Sequence, residues 1–191
     1  MTFGRLKISP GFFAVLSVLC LMDGEGIFVR FVLCCAVHEL GHAAAVWLMG
    51  GRIGKMELTA LGGNMTVEYR RASYLAEFAV AAAGGAAGML FSVICAAMGA
   101  YVTAGMSLAV TAFNFLPVCP LDGGRMLNII FSAMFPERGE RLTSVADKVF
   151  SAALFTFSLY LYIFTGAALG IALMAAFMLC RTIIKKPTEN L

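Results

Sequence analysis

The sequence predicts an all-α polytopic membrane protein, with about six transmembrane helices in a single membrane-embedded domain spanning residues 1–191. The 191 residues are 61% hydrophobic and only 13% charged, and the mean hydropathy is +0.89. Apolar stretches near the roughly 20 residues needed to cross a hydrocarbon core recur along the chain. The Lys and Arg residues collect between alternate stretches, as they do in proteins that cross a bilayer repeatedly.

The expected transmembrane helices cover residues 9–22, 26–49, 73–99, 102–118, 144–165 and 167–184. The first is short, and with Arg5 and Lys7 before it, it also fits the beginning of a signal peptide. No small-x-small cleavage site follows, and residues 23–26 fit a tight external turn. We therefore expect the first stretch to remain in the protein.

Charge placement predicts the orientation of the chain. With cytoplasmic termini, all 14 Lys and Arg residues except Arg30 fall on the inner side, and the outer loops near 23–26, 99–105 and 165–168 hold none. Arg30 lies near the outer end of the second stretch, where its long side chain can reach the interface. The net charge of +3 then reflects topology and contact with anionic lipid, so nucleic acid is not expected as a partner.

His38 and His42, the only histidines of the chain, lie in the second stretch in the motif His-Glu-Leu-Gly-His. Spacing of four places both imidazoles on one helix face, where they can bind one Zn²⁺. Glu39, one position on, is placed to act on a metal-bound water. A charge at bilayer depth costs about 2.5–3.5 kcal/mol, which favours a functional cluster over a satisfied polar core.

A catalytic zinc site needs a third protein ligand, and Asp122 is the candidate. It follows two prolines, Pro117 and Pro120, and precedes Gly123 and Gly124. Irregular backbone at membrane depth is tolerated where it lines a cavity, so this segment is expected to face the metal. Asp122 could instead cap a helix that begins near Gly124. Less favoured ligands are Cys34, which fits apolar packing, and the carboxylates of Glu57, Glu68 and Glu77.

Together, the motif from His38 to His42 and the motif Asn-x-x-Pro-x-x-Pro-Leu-Asp-Gly-Gly-Arg from Asn114 resemble the site-2 protease family of intramembrane zinc metalloproteases. Within the family they resemble the stage IV sporulation protein FB group, which trims membrane-associated pro-sigma factors. The resemblance spans residues 9–135. It implies a three-helix core at about 26–135, with accessory helices at about 9–22, 144–165 and 167–184, and a place in a bacterial cell membrane.

The resemblance also implies roles for the site residues: one Zn²⁺ per chain on His38, His42 and Asp122, with Glu39 as general base. The chain departs from the family in the third stretch. Where the family usually has Gly-Pro-x-x-Asn, residues 84–88 are Gly-Gly-Ala-Ala-Gly. Glycines four apart allow close helix packing instead.

Two further segments are expected to contact a substrate. Residues 57–69 fit a short β-hairpin around the turn Gly62-Gly63-Asn64, which could hold an extended peptide by strand addition. The alternative is a surface loop without substrate contact. Asn114 is expected to donate to the substrate backbone or oxyanion, or else to bond another helix.

The predicted function is therefore hydrolysis of a peptide bond in or near the transmembrane segment of a membrane-associated substrate, with pro-sigma and anti-sigma factors as candidates. Expected partners are that substrate, the lipid bilayer and regulatory membrane proteins, while the sequence leaves the oligomeric state open. One alternative is a metal transporter or sensor, which would need further ligands along a translocation path. The other is an inactive scaffold, in which Glu39 would have no role.

Overall fold

The computed structural model describes residues 2–3, 6–8, 26–59, 62–68, 73–165, 175–176, 179–180 and 182. The chain divides into two compact units, Met1–Phe113 and Asn114–Leu191. Among the described residues, three helices are long and apolar enough to cross a membrane. The expected helix at 9–22 and most of the one at 167–184 lie outside the described residues, so six crossings are not confirmed.

Two of these long helices, α1 (Ile27–Leu48) and α2 (Tyr74–Ala97), belong to the first unit. They agree with the stretches expected at 26–49 and 73–99. Each is followed by a glycine with positive φ, Gly50 at 69° and Gly99 at 78°. Glycine ends a helix readily in this conformation because it has no Cβ to clash with the backbone.

The third helix, α3 (Tyr101–Asn114), has 14 residues. At 1.5 Å per residue it is about 21 Å long, shorter than the hydrocarbon core of about 30 Å. Because α3 ends at Asn114, the expectation of a helix reaching residue 118 is wrong. The physical reason is Pro117, which lacks a backbone N–H and disfavours helical geometry at the residue before it.

Small side chains bring the helices of the first unit together. A Cβ on Gly41 of α1 would lie 2.6 Å from the Cβ of Ala87 in α2. Between α2 and α3, the Ser92 hydroxyl donates to the carbonyl of Ala104 at 2.8 Å, and the Ser107 hydroxyl donates to the carbonyl of Gly88 at 2.8 Å. Close backbone approach and interhelical hydrogen bonds are the usual means of association for helices in lipid.

The first unit also contains a four-stranded sheet, so the chain is not all-α. Its strands are β1 (Thr2–Phe3), β2 (Leu6–Ile8), β3 (Arg52–Thr59) and β4 (Gly62–Glu68). They lie in the order β1-β2-β3-β4, with β2 parallel to β3 and the other pairs antiparallel. Pairing of the chain's first residues with β3 was not expected, because contacts between distant segments leave no local pattern in sequence.

The predicted turn at Gly62-Gly63-Asn64 is wrong. These residues open β4 and pair with Thr59, Leu58 and Glu57 of β3. Glycine is a weak strand former, but its preference is small beside the cross-strand ladder that holds it here.

The second unit begins with Asn114 and continues into residues 115–121, which form no regular element and are called here the proline loop. It is followed by α4 (Asp122–Met134) and α5 (Gly139–Thr165), the third of the long apolar helices. Helix α5 begins five residues before the expected 144. Its first residue, Gly139, packs closely on α4, since a Cβ there would lie 2.6 Å from the Cα of Ser132.

Candidate metal centre

His38 and His42 lie one turn apart in α1 and are 4% and 5% exposed. Their Nε2 atoms are 3.2 Å apart, and the two rings meet edge to face at an interplanar angle of 83°. Two imidazoles bound to one tetrahedral Zn²⁺ at 2.0–2.1 Å would place their nitrogens about 3.3 Å apart. The observed separation therefore fits two ligands of a single zinc ion.

The carbonyl oxygen of Val80 in α2 fixes the tautomer of His42. It lies 2.8 Å from Nδ1 of the imidazole. Because a carbonyl can only accept, Nδ1 must carry the hydrogen and donate it. In the neutral ring this leaves the lone pair of Nε2 available to a metal, the arrangement found for most histidine ligands.

Gly84, one turn after Val80 on α2, provides the space that the His42 ring occupies. A Cβ at residue 84 would collide with Nε2 and would lie 2.5 Å from Cε1 of that imidazole. No residue larger than glycine fits there unless the ring moves. Sequence reasoning treated Gly84 as a packing residue and missed Val80, whose contribution comes from the backbone.

Glu39 is the next residue of α1 after His38 and is partly exposed. Successive helical residues are about 100° apart around the axis, so its carboxylate leaves the helix beside the imidazole pair. Cys34, considered as an alternative ligand, is buried, and its thiol points at the carbonyl oxygen of Thr103 in α3 at 3.7 Å. That contact agrees with a packing role.

In the second unit, Asp122 is the first residue of α4 and is 7% exposed. The alternative role for Asp122, as the cap of a helix that begins near Gly124, is therefore wrong. Instead Leu121, with φ −66° and ψ 161°, is the N-cap, and its carbonyl accepts the N–H of Arg125 at 3.1 Å. A carboxylate in the first turn is favoured by the exposed N–H groups and the helix dipole.

Gly123 and Gly124 let the first turn of α4 pack directly on the proline loop. A Cβ on Gly123 would collide with the carbonyl oxygen of Phe115, and a Cβ on Gly124 would lie 2.6 Å from the nitrogen of Cys119. The position of the Asp122 backbone is therefore tied to the path of the loop.

The three predicted metal ligands are all buried, and each offers one possible ligand atom, with His38 and His42 in the first unit and Asp122 in the second. The other residues predicted as site residues or as alternative ligands lie in α2, α3, β3 and β4. Asn114 ends α3 and is half-buried, and Gly62 and Gly63 open β4. Glu77 lies in the first turn of α2, and Glu57 and Glu68 lie in β3 and β4.

Comparisons with known proteins identify the family of the chain. The family model described as Peptidase M50B-like matches residues 12–121, and that of Peptidase family M50 matches residues 98–161. Stage IV sporulation protein FB of Bacillus subtilis (strain 168) is 31% identical over 150 residues, which cover 72% of this chain and 52% of that protein.

A second relative is "Putative zinc metalloprotease sll0528" of Synechocystis sp. (strain ATCC 27184 / PCC 6803 / Kazusa). It is 26% identical over 153 residues, which cover 64% of this chain and 40% of that protein. The chain thus spans about half the length, or less, of these curated relatives. The site-2 protease from Methanocaldococcus jannaschii has a similar fold, with a TM-score of 0.66 at 18% identity, covering 100% of this chain and 95% of that one.

The resemblance inferred from the two sequence motifs is confirmed by these matches. Together with these relatives, the long apolar helices mark the chain as a membrane protein. Because the M50B-like model covers more than half of its residues, the chain belongs to the site-2 protease family, the M50 peptidases, and is related to stage IV sporulation protein FB.

Proposed function

We propose that this protein is an intramembrane zinc metalloendopeptidase, which hydrolyses a peptide bond in or near the transmembrane segment of a membrane-associated substrate. The observation that best supports this proposal is the buried imidazole pair of α1, with Nε2 atoms 3.2 Å apart and one ring oriented by a backbone carbonyl. Membership of a peptidase family supports the reaction class. A scaffold with no chemistry would not need Glu39 beside this pair.

His38, His42 and Asp122 are the residues that would hold one zinc ion. When bound there, zinc supplies Lewis acidity, which activates water and polarises the scissile carbonyl. Glu39 accepts the proton of the attacking water and delivers it to the leaving amine. Val80 keeps the His42 ring oriented throughout, and Asn114 donates a hydrogen bond to the substrate backbone or to the oxyanion.

The sheet supports a mode of substrate binding. A protease must meet its scissile peptide in extended form, because the carbonyl groups of a helix are hydrogen-bonded and shielded. Strand β4 is the last in the described sheet order, so its outer edge can accept another strand. In this proposal an unwound substrate segment pairs along β4, with Gly62 and Gly63 allowing close approach of its backbone.

The position of the histidines in α1 suggests where the cut falls. His42 lies six residues before the end of the helix at Leu48, which corresponds to about 9 Å along the axis. The basic residues Arg52 and Lys55 follow directly, so this end is proposed to be cytoplasmic. Cleavage is then expected near the cytoplasmic end of a substrate's membrane segment, as in pro-sigma or anti-sigma factors.

Co-expression with tagged membrane substrates, including a pro-sigma-type N-terminal segment, tests the proposal. Wild type should cleave at least one candidate, and Glu39→Gln should cleave none while retaining one zinc ion per chain. A chelator should remove activity, and added Zn²⁺ should restore it. Glu77→Gln is the matched control, since Glu77 lies in the first turn of α2, and it should behave as wild type.

Two results would contradict the scheme. Full activity of purified Glu39→Gln would remove its general base. Loss of zinc from Glu77→Gln, with zinc retained by Asp122→Ala, would assign the third ligand to α2 instead of α4.

A further inference from the structure

Asp147 is a carboxylate two turns into α5, a helix apolar enough to cross a membrane, and the proposed chemistry does not use it. Ionisable side chains in membrane segments are rare because removing them from water is costly, and those that occur usually have a function. The contacts of Asp147 indicate what that function is.

Both carboxylate oxygens of Asp147 accept hydrogen bonds. Oδ1 accepts the backbone N–H of Cys119, in the proline loop, at 2.9 Å. Oδ2 accepts the hydroxyl of Thr182 at 3.3 Å. The bond from Cys119 has the usual length of an N–H···O hydrogen bond, so the carboxylate of Asp147 holds the backbone of the loop at this residue.

Two prolines limit the backbone hydrogen bonds that the proline loop can donate. Pro117 and Pro120 have no N–H to donate, and its short-range backbone bonds join Val118 to Leu116 at 2.8 Å and Leu121 to Val118 at 2.9 Å. The bond from Cys119 to Asp147 connects the middle of the loop to a long helix. It therefore fixes the loop at the point between the two prolines.

Movement of Cys119 would be transmitted to Asp122. Gly124, in the first turn of α4, packs so closely on the backbone of Val118 and Cys119 that a Cβ would lie 2.6 Å from either residue. Close-packed backbone transmits a displacement instead of absorbing it. If Cys119 shifts, the first turn of α4 and the carboxylate of Asp122 shift with it.

We propose that Asp147 is a positioning residue, which holds Asp122 in the geometry needed for metal binding by anchoring the proline loop through the N–H of Cys119. Thr182 orients the Asp147 carboxylate for this contact. The inference rests on the proposed function, in which Asp122 is a metal ligand. It adds a connection from that ligand to α5 and to the segment that carries Thr182.

Metal binding by the purified full-length protein provides the test, with Co²⁺ as a spectroscopic probe and Zn²⁺ affinity from chelator competition. Loss of an outer-shell partner typically costs a metal site 10–100-fold in affinity. Asp147→Ala should therefore weaken Zn²⁺ binding at least about tenfold, alter the Co²⁺ absorption bands and lower kcat more than it raises KM. Lys148→Ala, the exposed neighbour, should match wild type.

Asp147→Asn separates positioning from charge. Its amide oxygen can still accept from Cys119, and its NH₂ can donate to the Thr182 hydroxyl, so affinity should stay within about threefold of wild type. Wild-type affinity and spectrum in Asp147→Ala would overturn the proposal. Equal losses in the Asn and Ala variants would overturn it as well, because charge would then matter and not the hydrogen bond.

Thr182→Val decides the question if Asp147→Ala does not fold. It removes the bond to Oδ2, and a two- to fivefold loss of affinity is expected, whereas no change in affinity or spectrum would overturn the proposal. Failure of the proposed function looks different. Wild type that binds Co²⁺ but cleaves nothing contradicts proteolysis and leaves the binding comparison decisive, whereas wild type that binds no metal contradicts both.

Discussion

At the scale of single residues, the ability of His42 to bind a metal depends on two features of α2, a backbone carbonyl group and a glycine. The Val80 carbonyl accepts from Nδ1 at 2.8 Å, and the missing side chain of Gly84 leaves room for the ring. These residues are four apart, so they lie on the same helix face. One turn of α2 thus sets the tautomer and the orientation of one imidazole and leaves the space that it occupies.

Replacement of Gly84 by Ala should displace this ring. The added Cβ would overlap the imidazole of His42, and neither α1 nor α2 can yield easily where Gly41 already packs against Ala87. Zinc affinity should fall at least about tenfold, as for other losses of support to a ligand. Chelator competition on the purified protein measures it, with loss of substrate cleavage as the second readout.

Gly105→Ala is the matched control for this substitution. Gly105 also lies in a helix, α3, but nothing lies within 4 Å of a Cβ built there. This change should leave zinc affinity as in wild type and stabilise the helix by about 0.5–1 kcal/mol. Unchanged zinc affinity in Gly84→Ala would show that α1 and α2 can separate enough to admit a methyl group.

Sequence reasoning could find some residues of the candidate site and not others. His38, Glu39 and His42 are recognisable because helix periodicity converts their spacing into a shared face. Val80 carries no signal, since every residue has a carbonyl group and only the packing of α1 on α2 selects this one. Asp147 did carry a signal, a lone acid in the apolar stretch 144–165, but its partner Cys119 could not be inferred without the fold.

At the scale of elements, α2 and α3 meet through a polar contact in place of large apolar side chains. Gly88 accepts the Ser107 hydroxyl at 2.8 Å and stands against Thr111, which is 2% exposed. Among the described residues, Oγ1 of Thr111 has no hydrogen-bond partner. The absence of a side chain at residue 88 is therefore matched by a hydroxyl that takes up the space.

A double-mutant cycle at these two positions should show strong coupling. Gly88→Ala places a Cβ against Oγ1 of Thr111, and such overpacking should destabilise the fold by roughly 1–3 kcal/mol. Thr111→Ala removes the obstructing atom. Because Oγ1 has no hydrogen-bond partner among the described residues, this variant alone should destabilise the fold less than Gly88→Ala does. The double variant should recover most of the loss.

Unfolding in mixed micelles measures the four free energies, and the coupling is the departure of the double variant from the sum of the single variants. Additive effects within about 0.5 kcal/mol would contradict direct contact between residues 88 and 111. A Ser107→Ala variant of the same helix gives the cost of losing an interhelical hydrogen bond without any clash.

The elements themselves differ in how well sequence determines them. The ends of α1 and α2 lie within two residues of expectation, and turns at Gly26, Gly50 and Gly99 bound three of these four ends. Helix α3 is shorter than expected because Pro117 disfavours helical geometry at the residue before it. The expected end at residue 118 followed the length of the apolar stretch and gave this effect too little weight. Strands β1 and β2 are two and three residues long, too short for any alternation of side chains to reveal.

At the scale of the whole molecule, the apolar helices α1 and α2 and the distribution of charge together suggest an orientation in the membrane. The connection between α1 and α2 contains Arg52, Lys55, Arg70 and Arg71, whereas residues 98–100 between α2 and α3 contain no basic residue. Basic residues in short loops remain on the cytoplasmic side. The end of α1 that follows His42 should therefore face the cytoplasm.

Reporter fusions within this first unit should reveal that orientation. Alkaline phosphatase needs disulfides, which form outside the cytoplasm, so a fusion after residue 100 should be active and one after residue 72 inactive. Replacing the four basic residues by Gln should reduce the difference, because it removes the charge bias without adding a new one. A cytoplasmic fluorescent reporter at the same two positions gives the complementary pattern and controls for expression. Activity at residue 72 with none at residue 100 would invert the topology, and cleavage would then have to occur at the opposite face of the membrane.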